Sequence, residues 1–205
     1  MLEPNGTKRR DDRAMTNGKT PVAILISGRG SNMAALVAAS KAEDCPYRVV
    51  LVAANDPDAG GLALAQAAGI PTFARSHKGL KRAEFDALLD AEIRKTGAEW
   101  IALAGYMRLL SPEFIAGWQG RIVNIHPSLL PLYKGLDTHA RAIAAGDAEG
   151  GCSVHIVTPA LDDGPVVAQA RVPILPGDDA ESLAARVLPE EHRLYPQALA
   201  DLVRR

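Results

Sequence analysis

Three stretches of the chain hold side chains suited to chemistry on a polar substrate. The first is Asn124-Ile125-His126-Pro127. Side chains alternate along a strand, so Asn124 and His126 share one face while Ile125 turns to the other. Pro127 cannot continue a ladder, which sets the pair at the strand's carboxyl end, where open α/β sheets bind ligands. A neutral amide beside an imidazole that changes charge near neutral pH can hold a developing oxyanion and handle its proton. The same residues also fit a strand-end turn with a backbone-bonded histidine, and the stretch alone does not choose between the two.

The second stretch is Ser27-Gly28-Arg29-Gly30-Ser31-Asn32, between an apolar run and a helical one. Glycines let the backbone turn tightly and approach a ligand, and the free N–H groups of a helix start favour an anion. No Gly-Lys-Ser/Thr follows, and the third glycine of a dinucleotide fingerprint is replaced by Met33. A phosphate cradle and a plain tight turn both fit. The third stretch, Thr158-Pro159-Ala160-Leu161-Asp162-Asp163-Gly164-Pro165, is by composition a turn whose aspartates serve local hydrogen bonds. The two cysteines, Cys45 and Cys152, lack disulfide-framework or metal-ligand spacing, so no metal is expected and a reducing compartment fits.

The elements that must position these residues read as strand, loop and helix in alternation. Val22–Ile26 is an apolar strand stopped by the glycine turn, and Ser31 or Asn32 can cap a helix running to about Ser40. Val49–Ala54, Thr72–Ala74, Trp100–Ala104 and Ile122–Ile125 are further strands, with a helix over Leu62–Ala68. Arg82–Lys95 is an amphipathic helix with Phe85, Leu88, Leu89 and Ile93 on its apolar face. Ser153–Val157 and Val166–Val172 are strands close enough in sequence to pair antiparallel at the sheet edge. Ala180–Val203 is mainly helix, expected to break near Pro189 and Pro196. The pattern predicts one α/β domain: a Rossmann-like, open, mostly parallel twisted sheet with helices on both faces and an antiparallel C-terminal strand pair.

Composition bounds the function. Of 205 residues 47% are hydrophobic and 23% charged, with a net charge of −1, which argues against a general nucleic-acid or membrane-surface binder. No apolar run reaches the ~20 residues of a membrane span. Residues 1–20 are polar, with Lys8-Arg9-Arg10-Asp11-Asp12-Arg13 and no signal-peptide core. They are expected to be a disordered extension of a single domain over 21–205, in a cytoplasmic protein.

The three stretches take on more weight together. Gly30-Ser31-Asn32, then Gly105-Tyr106-Met107-Arg108-Leu109-Leu110, then Asn124-Ile125-His126-Pro127-Ser128-Leu129-Leu130-Pro131 occur in that order. Gly151-x-Ser153-Val154-His155, Leu161-Asp162-x-Gly164-Pro165 and Glu190-Glu191-His192-x-x-Tyr195-Pro196 follow. This set closely resembles the folate-dependent glycinamide ribonucleotide formyltransferases of purine biosynthesis, over roughly residues 21–200. The resemblance implies a formyltransferase fold and 10-formyltetrahydrofolate as formyl-donor co-substrate, without a metal. It implies a catalytic trio of Asn124, His126 and Asp162, a ribonucleotide site at Gly30, Ser31, Asn32 and Glu191, and a folate site. The folate site takes Arg82, Met107, Arg108, Leu109, Leu110, Asn124, Thr158, Pro159, Ala160, Leu161 and Asp162. His139 and His155 match family positions and are given supporting roles, whereas His77 and His192 read as surface or helix-face residues. Asp137 stands where some relatives carry histidine, so no role is carried to it. Small-molecule substrates, no nucleic-acid or membrane partner, and a monomer or weak homodimer are expected. The rivals are a formyltetrahydrofolate hydrolase, a formyltransferase acting on initiator tRNA, and a non-catalytic nucleotide-binding module.

Overall fold

A seven-stranded sheet in the order β3-β2-β1-β4-β5-β6-β7 organises the molecule. The structure, a computed structural model, describes residues 18–204. Most of the expected N-terminal extension lies outside the described residues. Its last part does not: Lys19 Nζ donates to the carbonyls of Ser40 and Ala42, at 3.2 and 2.6 Å, and Thr20 already opens the first strand.

The elements are β1 (Thr20–Ile26), α1 (Ser31–Ser40), β2 (Tyr47–Ala54), α2 (Gly61–Ala67) and β3 (Thr72–Ala74). Next come α3 (Arg82–Lys95), β4 (Trp100–Leu103), α4 (Pro112–Gly117), β5 (Ile122–His126) and α5 (Thr138–Ala145). The chain closes with β6 (Glu149–Ile156), β7 (Val166–Pro173) and α6 (Ala180–Val203). β1 to β5 run parallel, while β6 runs antiparallel to both β5 and β7. Strands covered on both faces need apolar residues at successive positions, which is why β1 from Val22 and β2 from Val49 read as unbroken apolar runs. Val22, Ile24 and Ile26 pack with Met33, Leu36, Leu183, Val187 and Tyr195 on one face. Ala23 and Leu25 pack with Phe85, Leu89, Ile93, Phe114 and Trp118 on the other.

Several expectations need correction. Leu88 is 37% exposed, while Phe85, Leu89 and Ile93, spaced by four, carry the face of α3 that packs on the sheet. Leu88 lies at the rim of that stripe. α6 runs unbroken through Pro189 and Pro196. Leu183, Val187, Glu191, Tyr195, Leu199 and Leu202 recur on one buried face, and that burial outweighs the two N–H donors the prolines remove. The Tyr195 hydroxyl also reaches the Leu103 and Val123 carbonyls, both at 3.0 Å, and ties α6 to β4 and β5. α4 and α5 were not foreseen, being short and set among proline- and glycine-bounded loops. His77 is half-buried rather than on the surface, with Nδ1 3.0 Å from the Asn55 carbonyl oxygen. His192 lies on α6, as a helix-face residue should, and is half-buried.

Strand order reverses at β1, whose neighbours are β2 on one side and β4 on the other. A crevice forms at such a switch point, outside the strands' carboxyl ends. The glycine turn after β1, the Gly105–Leu110 segment after β4 and the Asn124/His126 end of β5 all open there.

Candidate active site

β5 delivers Asn124 and His126 from one face at its carboxyl end, with Ile125 buried in the core behind them. His126 is 5% exposed. Its Nε2 lies 2.9 Å from the Tyr133 carbonyl oxygen, which can only accept, so Nε2 carries a hydrogen. The other nitrogen, Nδ1, faces Asp162 Oδ2 at 3.4 Å. Asp162 comes from the turn between β6 and β7 in a left-handed conformation (φ 47°), and its Oδ2 accepts the Gly135 N–H at 3.0 Å. The three residues expected to converge from remote parts of the chain therefore do converge.

His155 on β6 joins them. Its Nδ1 donates to the Ile156 carbonyl at 3.1 Å, while Nε2 lies 3.2 Å from Asn124 Nδ2 and 3.6 Å from Asp162 Oδ1. The ring serves Asn124 as an acceptor when neutral and Asp162 as a donor when charged. Burial pushes the Asp162 carboxyl up, but the His155 contact, the Gly135 N–H and the His126 charge outweigh it and hold the group below its ordinary value. His139, on α5, is pushed down from its ordinary value by burial and then by the neighbouring His126.

The turn that presents Asp162 tolerates only glycine at 164. A Cβ there would sit 1.8 Å from the Ile156 carbonyl oxygen. Asp163 pairs with Lys134, so both aspartates of the turn bind the 134–135 loop.

About two strand spacings away, roughly 10 Å, the glycine turn forms the other end of the crevice. Gly30, not Ser31 or Asn32, is the N-cap of α1, in a left-handed conformation (φ 74°). Its α-carbon packs against Gly61, and a Cβ would come within 2.9 Å of the Gly61 Cα. Ser31 is exposed at the first helical position, whereas Asn32 is buried and donates from Nδ2 to Glu191 Oε2 at 2.6 Å. Its Oδ1 has no hydrogen-bond partner among the described residues. The structure thus brings Asn32 and Glu191 together.

Burial pushes the Glu191 carboxyl up, with the Asn32 bond opposing. A group whose folded pKa is raised contributes stability below its unfolded pKa and loses it as pH rises through the folded value. Replacing Glu191 with Gln keeps an acceptor for Asn32 and removes the charge. In denaturant unfolding, Glu191→Gln should therefore gain on the wild type between pH 4 and pH 8. A wild-type advantage that grows with pH would contradict this.

The residues expected around folate divide by exposure. Met107 is 70% exposed and Leu109 52%, beside the crevice, while Leu110 is buried in the core against α4 and its side chain is structural. Arg108 is half-buried, its guanidinium stacked 5.0 Å over the Phe85 ring. Arg82 is exposed at the first residue of α3. Pro159, Ala160 and Leu161 are exposed along the Asp162 turn, and Thr158 Oγ1 donates to the Ala160 carbonyl at 3.3 Å. Among the described residues, no group of three or more His, Cys, Asp or Glu could hold a metal ion.

Residues 20–199 match the formyl transferase family. The chain belongs to that family. It is 44% identical over 180 residues to the phosphoribosylglycinamide formyltransferase of Escherichia coli, covering 87% of this chain and 85% of that protein. It also resembles the crystal structure of the phosphoribosylglycinamide formyltransferase of Brucella melitensis, with a TM-score of 0.87 and 51% identity, over 90% of this chain and 96% of that one. A Drosophila melanogaster relative, the trifunctional purine biosynthetic protein adenosine-3, is 45% identical over 197 residues. The chain spans only 15% of that protein's length.

In this formyl transferase, two site features were not foreseen. The Tyr133 carbonyl fixes the His126 tautomer, and a backbone atom leaves no trace in residue type. Ser27 Oγ donates to Asn55 Oδ1 at 2.5 Å and accepts the Met107 N–H at 2.8 Å, joining the glycine turn to the segment after β4. The polar run Ser27 to Asn32 held that signal without naming its partner.

Proposed function

We propose that this formyl transferase moves the formyl group of 10-formyltetrahydrofolate to the amine of glycinamide ribonucleotide. The products are formylglycinamide ribonucleotide and tetrahydrofolate, in de novo purine synthesis. The meeting of Asn124, His126 and Asp162 at the crevice carries the reading. Likeness to proteins of that name over most of their length supports it. The turn at Gly30 to Asn32, with Glu191 behind it, takes the ribonucleotide, its phosphate on the N–H groups opening α1. Arg82, Met107 to Leu110 and Thr158 to Asp162 surround the folate. The site needs no metal. Two free cysteines fit a reducing compartment, and we place the reaction in the cytoplasm.

The chemistry follows from which atoms are already committed. The neutral amine attacks the formyl carbon, forming a C–N bond and a tetrahedral intermediate with a negative oxygen. His126 Nε2 is held by the Tyr133 carbonyl, so Nδ1 is the nitrogen that donates to that oxygen. One Asn124 amide hydrogen points to His155, and the second completes the oxyanion site. The Asp162 carboxylate faces Nδ1 and stabilises the charged ring. It also takes the proton from the attacking nitrogen and delivers it to the folate nitrogen as the old C–N bond breaks. Placing amine and carbonyl together supplies much of the remaining acceleration.

A spectroscopic assay of 10-formyltetrahydrofolate, run with and without glycinamide ribonucleotide, tests the proposal. Turnover should require the ribonucleotide. Equal turnover without it would make the protein a hydrolase. Ribonucleotide binding without any turnover would make it a binding module.

A further inference from the structure

Three buried polar atoms without a partner among the described residues belong to Asp86 and to the segment that follows β4. Asp86, on α3, is 1% exposed. Its Oδ2 accepts the Ser111 N–H at 2.5 Å, while Oδ1 has no partner among the described residues. The Tyr106 hydroxyl and Arg108 Nε are also buried there, without a hydrogen bond of good geometry among the described residues. Arg108 stacks over Phe85, the residue before Asp86. Burial and then the Asp86 charge push the Tyr106 hydroxyl up, with Arg108 opposing. A buried carboxylate with one oxygen unmatched is a poor choice for stability alone.

The segment it holds alternates in burial, with every second residue turned in. Tyr106 and Leu110 are buried and Arg108 half-buried, whereas Met107 and Leu109 face out. One end is pinned by Met107 N–H on Ser27 Oγ. The other is pinned by Ser111 N–H on Asp86, where Ser111 also caps α4.

We propose that Asp86 is a positioning residue for the folate slot, setting the outward backbone and side chains of residues 107–110 from below through its bond to the Ser111 N–H. This rests on the folate reading given above. The ribonucleotide end of the crevice, at Gly30, Asn32 and Glu191, is built from other elements and is untouched by Asp86.

Asp86→Asn keeps an oxygen near Ser111 but loses the charge that strengthens the bond. Steady-state kinetics should show KM for 10-formyltetrahydrofolate raised roughly tenfold, with KM for glycinamide ribonucleotide and kcat nearly unchanged. A folded variant with normal folate KM, or one in which both KM values rise together, would overturn the role. Hydrogen exchange on the unaltered protein decides the matter if the variant does not fold. The Ser111 amide should then exchange about tenfold or more slower than those of Arg108 and Leu109, and equal rates would overturn the proposal. In that same protein a non-transferable formyl-folate analogue should slow exchange over 106–111. No slowing there would defeat the folate reading itself. Normal slowing alongside a normally binding Asp86→Asn variant would defeat only the role of Asp86.

Discussion

Asp162→Asn should lower single-turnover formyl transfer by ~10²–10⁴-fold, the range for a lost acid–base group, while the protein stays folded. The backbone at this position accommodates the substitution. Residue 162 sits at φ 47°, a conformation that asparagine tolerates better than most side chains. Its amide oxygen can still accept the Gly135 N–H. What is lost is the charge facing His126 Nδ1 and the capacity to carry a proton. The carboxyl is held below its ordinary value and stays ionised as the pH falls, so the acid limb of wild-type activity should follow protonation of the attacking amine rather than of Asp162. Near-wild-type turnover by the asparagine variant, measured where chemistry limits the rate, would remove Asp162 from the mechanism.

Gly164→Ala should be nearly as damaging to activity and also costly to stability. The added carbon would lie 1.8 Å from the Ile156 carbonyl oxygen, a backbone atom fixed in β6, so the turn carrying Asp162 must move. A displacement of about 1 Å at a reacting group can cost ~10²-fold in rate, and the strain should cost at least ~2 kcal/mol. Gly60→Ala is the control. Its φ is −59° and nothing lies within 4 Å of the added carbon, so stability and turnover should be unchanged. Denaturant melts and single-turnover rates on both variants check this. An alanine at 164 that melts and turns over like wild type would mean that the turn has slack the geometry denies.

The contrast between what could be read from residues and what could not has physical causes. β1, β2 and β4 were legible from their apolar runs, because strands covered on both faces carry apolar residues at successive positions. Asn124 and His126 were legible because alternation along a strand and a terminating proline place them without tertiary information. Asp162 was different. By composition it belonged to an ordinary turn, and only resemblance drew it to a histidine 36 residues earlier. Leu88 and the unbroken α6 were misjudged because rim positions and prolines are decided by what packs against a helix. Tyr133 and Asp86 escaped for a related reason: one acts through a carbonyl and the other on a backbone N–H, and neither role constrains residue type in a visible pattern.

The central claim is that one crevice joins a ribonucleotide amine to a folate formyl carbon. It is tested most directly by following the carbon itself. Tetrahydrofolate carrying a ¹³C-labelled formyl group, mixed with glycinamide ribonucleotide and enzyme, should place the label on the ribonucleotide's amide, in step with tetrahydrofolate release. Label recovered as free formate, with the ribonucleotide unchanged, would contradict the account.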